Sequence, residues 1–501
     1  MGIRTISILL LCLSAESYCI AQSDATTQAQ QLVVQHKFRA AERILRPEAS
    51  GSSDVSLLWY YGQVAHWAGH DRGAAKSFDL ALDQDPDNTK LRLDYARMLY
   101  EAERLNAALR QLDKVMTKDT NDAEAHLIRS NIYRWYARYQ PARRDTRDVL
   151  DRYPDNATAQ DLSLALDEAT APYLRYTVGY QRDDQPMQVI GISVESGLSY
   201  SWLLNPKVQA TDREFYAAGK WNVTLAASLG NKFVFGKAGT DVSLSLGVFK
   251  SFSAGTDWTG DVTVRQKLYK YLSLQLQAGR APYLSTLSSA SLSLMQNTLG
   301  ASLILNKENS WSAQAAYSYQ FFNDHNPIQT ASVWALSQPV KASVFSFRFG
   351  YGYRYTTSAR STYRSVKSLS EILATYTAGE QIAGIYDPYF TPLRQHIHSA
   401  IIAIGIRPAR FVSIGIKGDI GFYAQAQNPY LYLDKTSADV IYLASGSYKE
   451  VFHPYRLSAN IDFKLSRRIS LGADYAYTSA FFYASHYTSI HLLVTFLKHA
   501  R

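Results

Sequence analysis

The sequence predicts an α + β multidomain chain, in which an N-terminal α-helical solenoid is followed by an antiparallel transmembrane β-barrel. Three patterns support this prediction: a repeat of about 34 residues in the first third, a two-residue period in the remainder, and an apolar segment at the N-terminus. Each part of the chain is predicted from one of these patterns.

The first 21 residues are predicted to be a secretory signal peptide. Arg4 precedes the apolar run "ISILLLCL", and "CIA" ends at Ala21 with small residues at both positions that a signal peptidase recognises. Both cysteines of the chain, Cys12 and Cys19, lie in this segment. The mature chain is therefore expected to begin near Gln22, without disulfides or thiol chemistry.

Residues 22–170 are predicted to form a domain of helical repeats. The segments "DPDN" (85–88) and "YPDN" (153–156) are separated by twice the repeat length, and "DTND" (119–122) lies midway between them. Small residues at fixed places let two helices approach closely, and proline ends the second helix because it cannot donate a backbone hydrogen bond. The predicted packing residues are Gly62, Ala74, Phe78, Ala81, Pro86, Ala96, Ala108, Ala142 and Pro154.

This pattern resembles the tetratricopeptide repeat, a helix–turn–helix unit of about 34 residues. Residues 55–88 match it most closely, residues 26–50 resemble a degenerate first unit, and residues 157–169 resemble a capping helix. Three to four units are expected. The resemblance implies a concave surface that binds a protein partner, and an ordinary helical bundle with coincidental alanines is the alternative.

Residues 171–501 alternate between apolar and polar side chains. In "YLRYTVGYQ" (173–181) every second residue is apolar or aromatic, and the same alternation recurs as far as "TSIHLLVTF" (488–496). Several such segments have ten or more residues, aromatic residues collect near their ends, and short connections alternate with long ones. We therefore predict an outer-membrane β-barrel of 14 strands, with 16 as the alternative, rather than a soluble sandwich.

Basic charge is concentrated in the predicted barrel. Residues 22–170 have 20 Lys and Arg against 23 Asp and Glu, whereas residues 171–501 have 31 against 19, a net charge of +12. Basic residues on the polar faces are expected to line the lumen and to favour anionic solutes: Arg175, Arg265, Arg348, Arg354, Arg407 and Lys417. The alternative is that they pair with inward acids such as Asp419, Asp462 and Asp474, or with lipopolysaccharide outside the barrel.

Aromatic residues are predicted at the mouth of the barrel, where sugar rings could stack on them. The candidates are Tyr386, Tyr389, Phe390 and Tyr423. Tyrosine is equally frequent in the girdles that mark a membrane interface, which is the alternative explanation.

The sequence offers no motif for catalysis. "HWAGH" places His66 and His70 one helical turn apart, but the glutamate that zinc-protease chemistry requires does not follow the first histidine. "HIH" places His396 and His398 on one side of a strand, with no third ligand evident. We therefore expect no enzyme activity, no cofactor and no metal site. Nucleic-acid binding is not expected either, because the basic charge is spread over a membrane wall.

The two-part plan resembles bacterial exopolysaccharide export porins, namely the C-terminal region of the cellulose synthase export component and the poly-N-acetylglucosamine export porin. The stretch "YDPYFTPLRQHIHSAIIAIG" (386–405) resembles a Tyr/Phe-Ser-Pro stretch of the cellulose type, with Asp387 and Thr391 in place of serines. The resemblance implies a cell outer-membrane location, with a periplasmic repeat domain that recruits synthesis or modification partners. Outer-membrane lipid and a polysaccharide chain are the other implied partners.

Two other functions remain open at this point. Surface lipoprotein assembly modifiers share the plan, with an N-terminal repeat domain and a 14-strand barrel, and they handle protein rather than sugar. The remaining alternative is a structural outer-membrane protein whose repeats organise a periplasmic complex.

Overall fold

The structure is a computed structural model that describes residues 24–184, 187–217, 219–307, 309–377, 379–437, 440–480 and 483–497. The predicted signal peptide lies outside the described residues. The chain divides into two compact units, one with the helices up to Ile132 and Asp148–Pro154, the other with Tyr133–Arg147 and the chain from Asp155 onward. Of the described helices, none combines the length and the apolar character needed to cross a membrane.

Nine helices precede the first strand among the described residues. They are α1 (Asp24–Val34), α2 (Phe38–Ala49), α3 (Val55–Trp67), α4 (Asp71–Gln84), α5 (Thr89–Glu101), α6 (Leu105–Lys118), α7 (Ala123–Trp135), α8 (Tyr139–Arg152) and α9 (Ala157–Thr170).

The repeated turns end on a residue that caps the next helix. Asn88 accepts a hydrogen bond from the backbone of Leu91 at 2.9 Å, and Asn156 accepts one from Ala159 at 2.9 Å. Asp122 occupies the same place in the middle turn and accepts from Ala125 at 2.8 Å. An Asn or Asp at this position satisfies a backbone N–H that the first helical turn leaves unpaired. The repeated turn motifs in the sequence therefore mark the positions at which successive helices begin.

The small residues of the repeats lie at helix contacts. A Cβ atom at Gly62 of α3 would approach two ring atoms of Phe78 in α4 to 2.9 Å, closer than van der Waals contact allows. Phe78 is 1% exposed, and its ring stacks on Tyr95 of α5 with centroids 5.1 Å apart. Thus Phe78 fills the space between one helix pair and the next. The alanines among the predicted packing residues are fully buried, whereas Pro86 and Pro154 are exposed in the turns that follow α4 and α8.

The strands begin shortly after α9. Those of the N-terminal half are β1 (Tyr173–Asp183), β2 (Gln188–Gly197), β3 (Pro206–Ala217), β4 (Lys220–Phe235), β5 (Thr240–Ser251), β6 (Gly255–Tyr269), β7 (Leu272–Pro282), β8 (Met295–Asn306), β9 (Ser312–Phe321) and β10 (Ile328–Leu336). Those that follow are β11 (Val340–Ala342), β12 (Phe345–Ser358), β13 (Tyr363–Ser365), β14 (Gln381–Ile382), β15 (Gly384–Tyr386), β16 (Leu393–Ala409), β17 (Val412–Lys435), β18 (Ile441–Phe452), β19 (Tyr455–Lys464), β20 (Ile469–Ser479) and β21 (Ala484–Thr495). Two short helices, α10 (Leu287–Ser291) and α11 (Leu369–Thr375), interrupt them.

Sixteen of these strands form a closed antiparallel barrel. The wall runs through β1 to β10, then β12, β16, β17, β19, β20 and β21, and β21 pairs with β1 over Tyr173–Asp183. The expected number of 14 is therefore corrected to the alternative of 16. Residues 206–235 contain two strands, β3 and β4, with only two residues between them. Ala217 pairs with Lys220, and Gly219 has a φ of +77°, so the chain reverses in a tight turn.

The two ends of the barrel carry different connections. We name the end where β1 begins and β21 ends the near end, and the opposite end the far end. The turns at the near end are short, for example residues 270–271 between β6 and β7, and residues 410–411 between β16 and β17. The far end carries the long connections 283–294 and 359–392, and a hairpin of β18 with the second half of β17.

Candidate functional site

The barrel wall has one apolar and one polar face. On β5 the exposed residues Leu244, Leu246 and Val248 share one face, and Ser243, Ser245 and Gly247 share the other. The same alternation holds along β1, β2, β20 and β21. Helix α10 packs against the face of Phe215 and Ser251, which is the polar face at mid-strand. The polar face is therefore the inner wall, and the apolar face points outward as membrane crossing requires.

Several charged residues on the inner wall form ion pairs. Glu195 lies 3.7 Å from Arg175 and 2.9 Å from Lys207. Lys232 pairs with Asp241 at 3.0 Å. On β21, which neighbours β1 in the wall, His491 lies 3.4 Å from Asp462 and 3.3 Å from Asp474. The lumen is thus polar and charged, and part of its charge lies in local pairs.

The predicted lumen cations have different surroundings. Arg175 shares Glu195 with Lys207, and Arg265 faces Asp241 in the strand register. Arg407 is exposed at the near end of β16, next to the turn that leads into β17. Arg354 lies on the inner face between Ser332 and Ile397 in the register. These four residues lie at separate places, so the structure does not bring them together as one ring.

Arg348 and Lys417 share one cavity of the inner wall. The cavity measures about 320 Å³ and is lined by Ser346, Arg348, Ala403, Ile404, Gly405, Gly415, Ile416, Lys417, Ser458 and Asn460. Arg348 donates hydrogen bonds to the backbone oxygens of Ser337 (2.8 Å) and Ser310 (3.1 Å) and to Ser312 Oγ (2.7 Å). Its guanidinium is therefore fixed to the near-end connections.

Two connections of the far end contact each other. The ring of Tyr389 in connection 359–392 stacks on Phe322, with centroids 3.9 Å apart, and Tyr283 packs edge-on against both rings. Thr286 Oγ1 donates to the backbone oxygen of Pro388 at 3.0 Å, which joins connection 283–294 to connection 359–392. We call residues 283–294 and 359–392 together the plug.

The predicted mouth aromatics divide between the plug and the outer wall. Tyr389 is 1% exposed, and its hydroxyl donates to Asp324; burial and that hydrogen bond raise its pKa. Tyr386 packs edge-on against Phe390. Tyr423 lies against His398 on the outer wall, because a bulge in β17 places Phe422 and Tyr423 on the same side. In this conformation Tyr389 has no surface on which a sugar ring could stack.

The "HIH" histidines belong to the outer wall. Tyr351 and Tyr353 place their hydroxyls 2.7 and 2.8 Å from Nδ1 of His398 and His396. Aromatic residues with a polar tip are typical of the interface between lipid and water. These histidines are therefore part of an aromatic girdle.

The other histidine pair joins helices of the repeats. His66 of α3 lies 2.8 Å from Asp71 and 3.0 Å from Glu101 of α5, and His70 lies 2.6 Å from Glu42 of α2. Burial lowers the pKa of His66, but hydrogen bonds to Glu101 and Asp71 outweigh it and raise the pKa above its usual value.

A polar ladder connects the first helices of successive repeats. Asp94 of α5 accepts hydrogen bonds from Trp59 Nε1 (2.9 Å) and Gln63 (2.7 Å) of α3. Arg97 joins Asp94 to Glu124 of α7, and these two carboxylates raise the pKa of Arg97 despite its burial. The repeat pattern of the sequence could not predict this ladder, since it reports packing residues and not the polar face beside them.

Residues 71–132 match the tetratricopeptide repeat. No curated protein sequence matches the chain. Among solved structures, a "bacterial polysaccharide outer membrane secretin" superposes over 66% of this chain and 99% of its own, with a TM-score of 0.44 and 8% identity. A tetratricopeptide repeat protein from Parabacteroides merdae covers 29% of this chain and 58% of its own, with a TM-score of 0.27 and 19% identity. The protein YrrB, described as a tetratricopeptide protein with an unusual peptide-binding site, covers 28% and 73%, with a TM-score of 0.26 and 20% identity.

Proposed function

We propose that this chain is an outer-membrane export channel for an exopolysaccharide, and that its repeats recruit synthesis or modification partners in the periplasm. The observation that carries the proposal is the closed wall of 16 strands with a polar inner face. A barrel of eight strands is filled by its own side chains, whereas one of 16 strands encloses a lumen wide enough for a hydrated polymer.

The inner wall suits a hydrated chain of sugars. Serine, threonine, glutamine, asparagine and glycine occupy many of its inward positions. For example, Gln275 and Gln277 of β7 lie opposite Ser302 and Gly300 of β8. Hydroxyl and amide groups exchange hydrogen bonds with sugar hydroxyls at little cost, because each such group can also bond to water. A passage must bind its solute weakly at many places to release it.

The repeats supply the second half of the proposal. A stack of helix pairs offers an extended surface, and the ladder from Trp59 through Asp94 to Glu124 keeps neighbouring first helices in register. Both chain ends of the barrel lie at the near end, so the chain enters β1 from that side. With the near end in the periplasm, the repeats would meet periplasmic proteins.

The surface lipoprotein assembly modifiers are the second candidate. Their plan implies a 14-strand barrel, whereas this chain has 16 strands, so the strand number does not favour them. We therefore do not propose protein export as a second function, and we treat it as one result that the test below can detect.

The test compares a producing strain with strains that carry either a deletion of the whole chain or a deletion of residues 24–170. We expect surface polysaccharide to disappear in the first strain while polymer or its fragments collect in the periplasm. The second strain should keep the barrel in the outer membrane, checked by its heat-dependent mobility on gels, and lose most of the surface polymer. Unchanged surface polysaccharide, or loss of a surface lipoprotein alone, would contradict the proposal.

A further inference from the structure

The cavity of Arg348 and Lys417 also has an aromatic ring within reach. The ammonium of Lys417 on β17 lies 5.8 Å from the centroid of the Trp334 ring, which comes from β10. Trp334 faces the lumen because it alternates with Val333 and Ala335 on the outer side and pairs with inward Gly352. Trp334 is therefore an inward aromatic ring beside a cation.

Glycine or alanine occupies three of the inward positions between Trp334 and Lys417. A Cβ at Gly352 of β12 would lie 3.3 Å from Ile401 and 3.8 Å from Cβ of Trp334, and a Cβ at Gly350 would collide with the backbone of Ala335. Ala403 of β16 separates Arg348 from Lys417 in the strand register. We call this part of the inner wall the trough. Its floor is formed by the two glycines, Ala403 and the inward Ile401, and Trp334, Arg348 and Lys417 border it.

Neither cation of the trough has a carboxylate partner. Lys417 forms no ion pair among the described residues, and Arg348 donates to two backbone oxygens and one hydroxyl, all uncharged. The nearest inward acid along β17, Asp419, lies opposite Arg456 in the register, and Asp462 lies 3.4 Å from His491. Among the described residues, the two cations of the trough therefore form no ion pair, unlike Arg175, Lys207 and Lys232 of the inner wall.

The remaining lining supplies hydrogen-bond groups on the side away from Trp334. Ser458 and Asn460 of β19 line the cavity together with Ser346 of β12. Asn460 donates to Asp462 at 3.0 Å, and its oxygen lies over Gly415, where a Cβ atom would collide with it. Gly415 therefore leaves the space that this amide occupies.

These groups match the chemistry of one kind of sugar. An indole face packs against the apolar C–H face of a pyranose ring, and a planar guanidinium with a nearby ammonium binds a carboxylate through charge-assisted hydrogen bonds. Arg348 and Lys417 lie two strands apart, so their Cα atoms are separated by about 10 Å at the usual strand spacing. Both side chains line the same cavity.

We propose that the trough is a subsite for a hexuronic acid unit of an acidic polysaccharide, with the ring on Trp334 and the carboxylate between Lys417 and Arg348. The inference rests on the proposed function and adds the class of polymer. Lys232 is a lumen lysine paired with Asp241, so Lys232→Gln is a matched control for Lys417→Gln.

The experiment measures binding of short galacturonate oligomers, and of their neutral methyl esters, to the full chain in detergent by calorimetry. Wild-type protein and K232Q should bind the acid about tenfold more tightly than the ester, the usual effect of a charge-assisted hydrogen bond. K417Q should lose part of this preference because Arg348 remains, and the double variant K417Q/R348Q should bind both alike. W334A should weaken binding of the acid and of the ester about tenfold each, so that the ratio of their affinities is unchanged. W334F should restore part of the lost affinity.

Equal binding of acid and ester by the wild type, or an unchanged ratio in K417Q with its heat-dependent gel mobility intact, would overturn the subsite. Tight binding of a neutral glucose oligomer would assign the trough to a neutral polymer instead and would also overturn it. The export proposal has a separate test, and it fails if surface polysaccharide persists after the whole chain is deleted. Failure of one is therefore distinguishable from failure of the other.

Discussion

Nε2 of His66 lies 3.0 Å from the carboxylate of Glu101, which lies at the corresponding end of the next repeat. Because the same imidazole also contacts Asp71 at 2.8 Å, a protonated His66 joins three helices, α3, α4 and α5. The repeat stack therefore contains a contact whose strength depends on pH.

The pKa of His66 is raised in the folded chain, and the sign of the pH effect follows. A raised pKa adds stability that is complete below the unfolded pKa, about 6.5, and that is lost as pH rises through the folded value. We expect the helical circular dichroism signal to melt at a lower temperature at pH 8 than at pH 6. His66→Gln and Glu101→Gln should each reduce this difference and cost about 1 kcal/mol. A difference of unchanged size in both variants would exclude His66 as its source.

Two helical glycines provide a matched test of repeat packing. Gly62→Ala should destabilise the repeats because its methyl group would approach the Phe78 ring to 2.9 Å. Gly73→Ala in α4 places its Cβ 4.0 Å from Tyr61 Oη and should stabilise the helix by roughly 0.5–1 kcal/mol through helix propensity alone. Thermal melts of the two variants should therefore shift in opposite directions. A stabilising Gly62→Ala would mean that the contact with Phe78 relaxes without cost.

The boundary between repeats and barrel remains a prediction from the sequence. Helix α9 ends at Thr170 and β1 begins at Tyr173. However, residues 133–147 and 155–170 belong to the same compact unit as the strands. Within that unit Arg143 of α8 bonds to Asp167 and Thr170 of α9, so these helices support each other. We expect residues 22–170 expressed alone to be soluble and helical by circular dichroism. A shorter fragment that ends at residue 132 serves as the comparison. A strand-rich or aggregated product from 22–170 would place the boundary elsewhere.

The plug should restrict the far end of the lumen. Tyr389→Ala removes the ring stacked on Phe322 and the hydroxyl bonded to Asp324, so it should loosen connection 359–392. We expect larger single-channel conductance in planar bilayers and greater sensitivity of cells to large antibiotics. Tyr317→Ala, which removes an exposed tyrosine of the outer wall, is the control and should leave both properties unchanged. Equal conductance of the wild type and Tyr389→Ala would show that this stack does not limit passage.

The fold could be predicted from the sequence because each part repeats a simple physical pattern. Helix pairs at a regular spacing and strands of period two both place apolar groups on one face, and the match at residues 71–132 and the closed barrel confirm the two-part plan. The strand number was not predictable by counting. Only two residues of the sequence separate the end of β3 from the start of β4, and alternation alone does not distinguish so short an interruption from a continuous strand.

The arrangement of the inner wall depends on contacts that sequence spacing does not report. The alternation placed Arg348 and Lys417 on the inner face, but it could not show that Arg348 is fixed by Ser310 and Ser337, which belong to other connections of the chain. Trp334 was missed because a tryptophan in an alternating strand is usually assigned to the lipid face. Its parity with Ser332 and Thr330 was the available signal.

The central claim is that a polysaccharide passes through the lumen, and photo-crosslinking in a producing strain tests it most directly. A photoreactive amino acid is placed at Ser302, on the inner face of β8, or at Leu303, which is exposed on the outer face of the same strand. We predict that irradiation attaches polysaccharide, detected by glycan staining of the purified chain, at Ser302 and not at Leu303. Absence of glycan from Ser302 in cells that export polymer normally, or attachment of a protein there instead, would contradict the account.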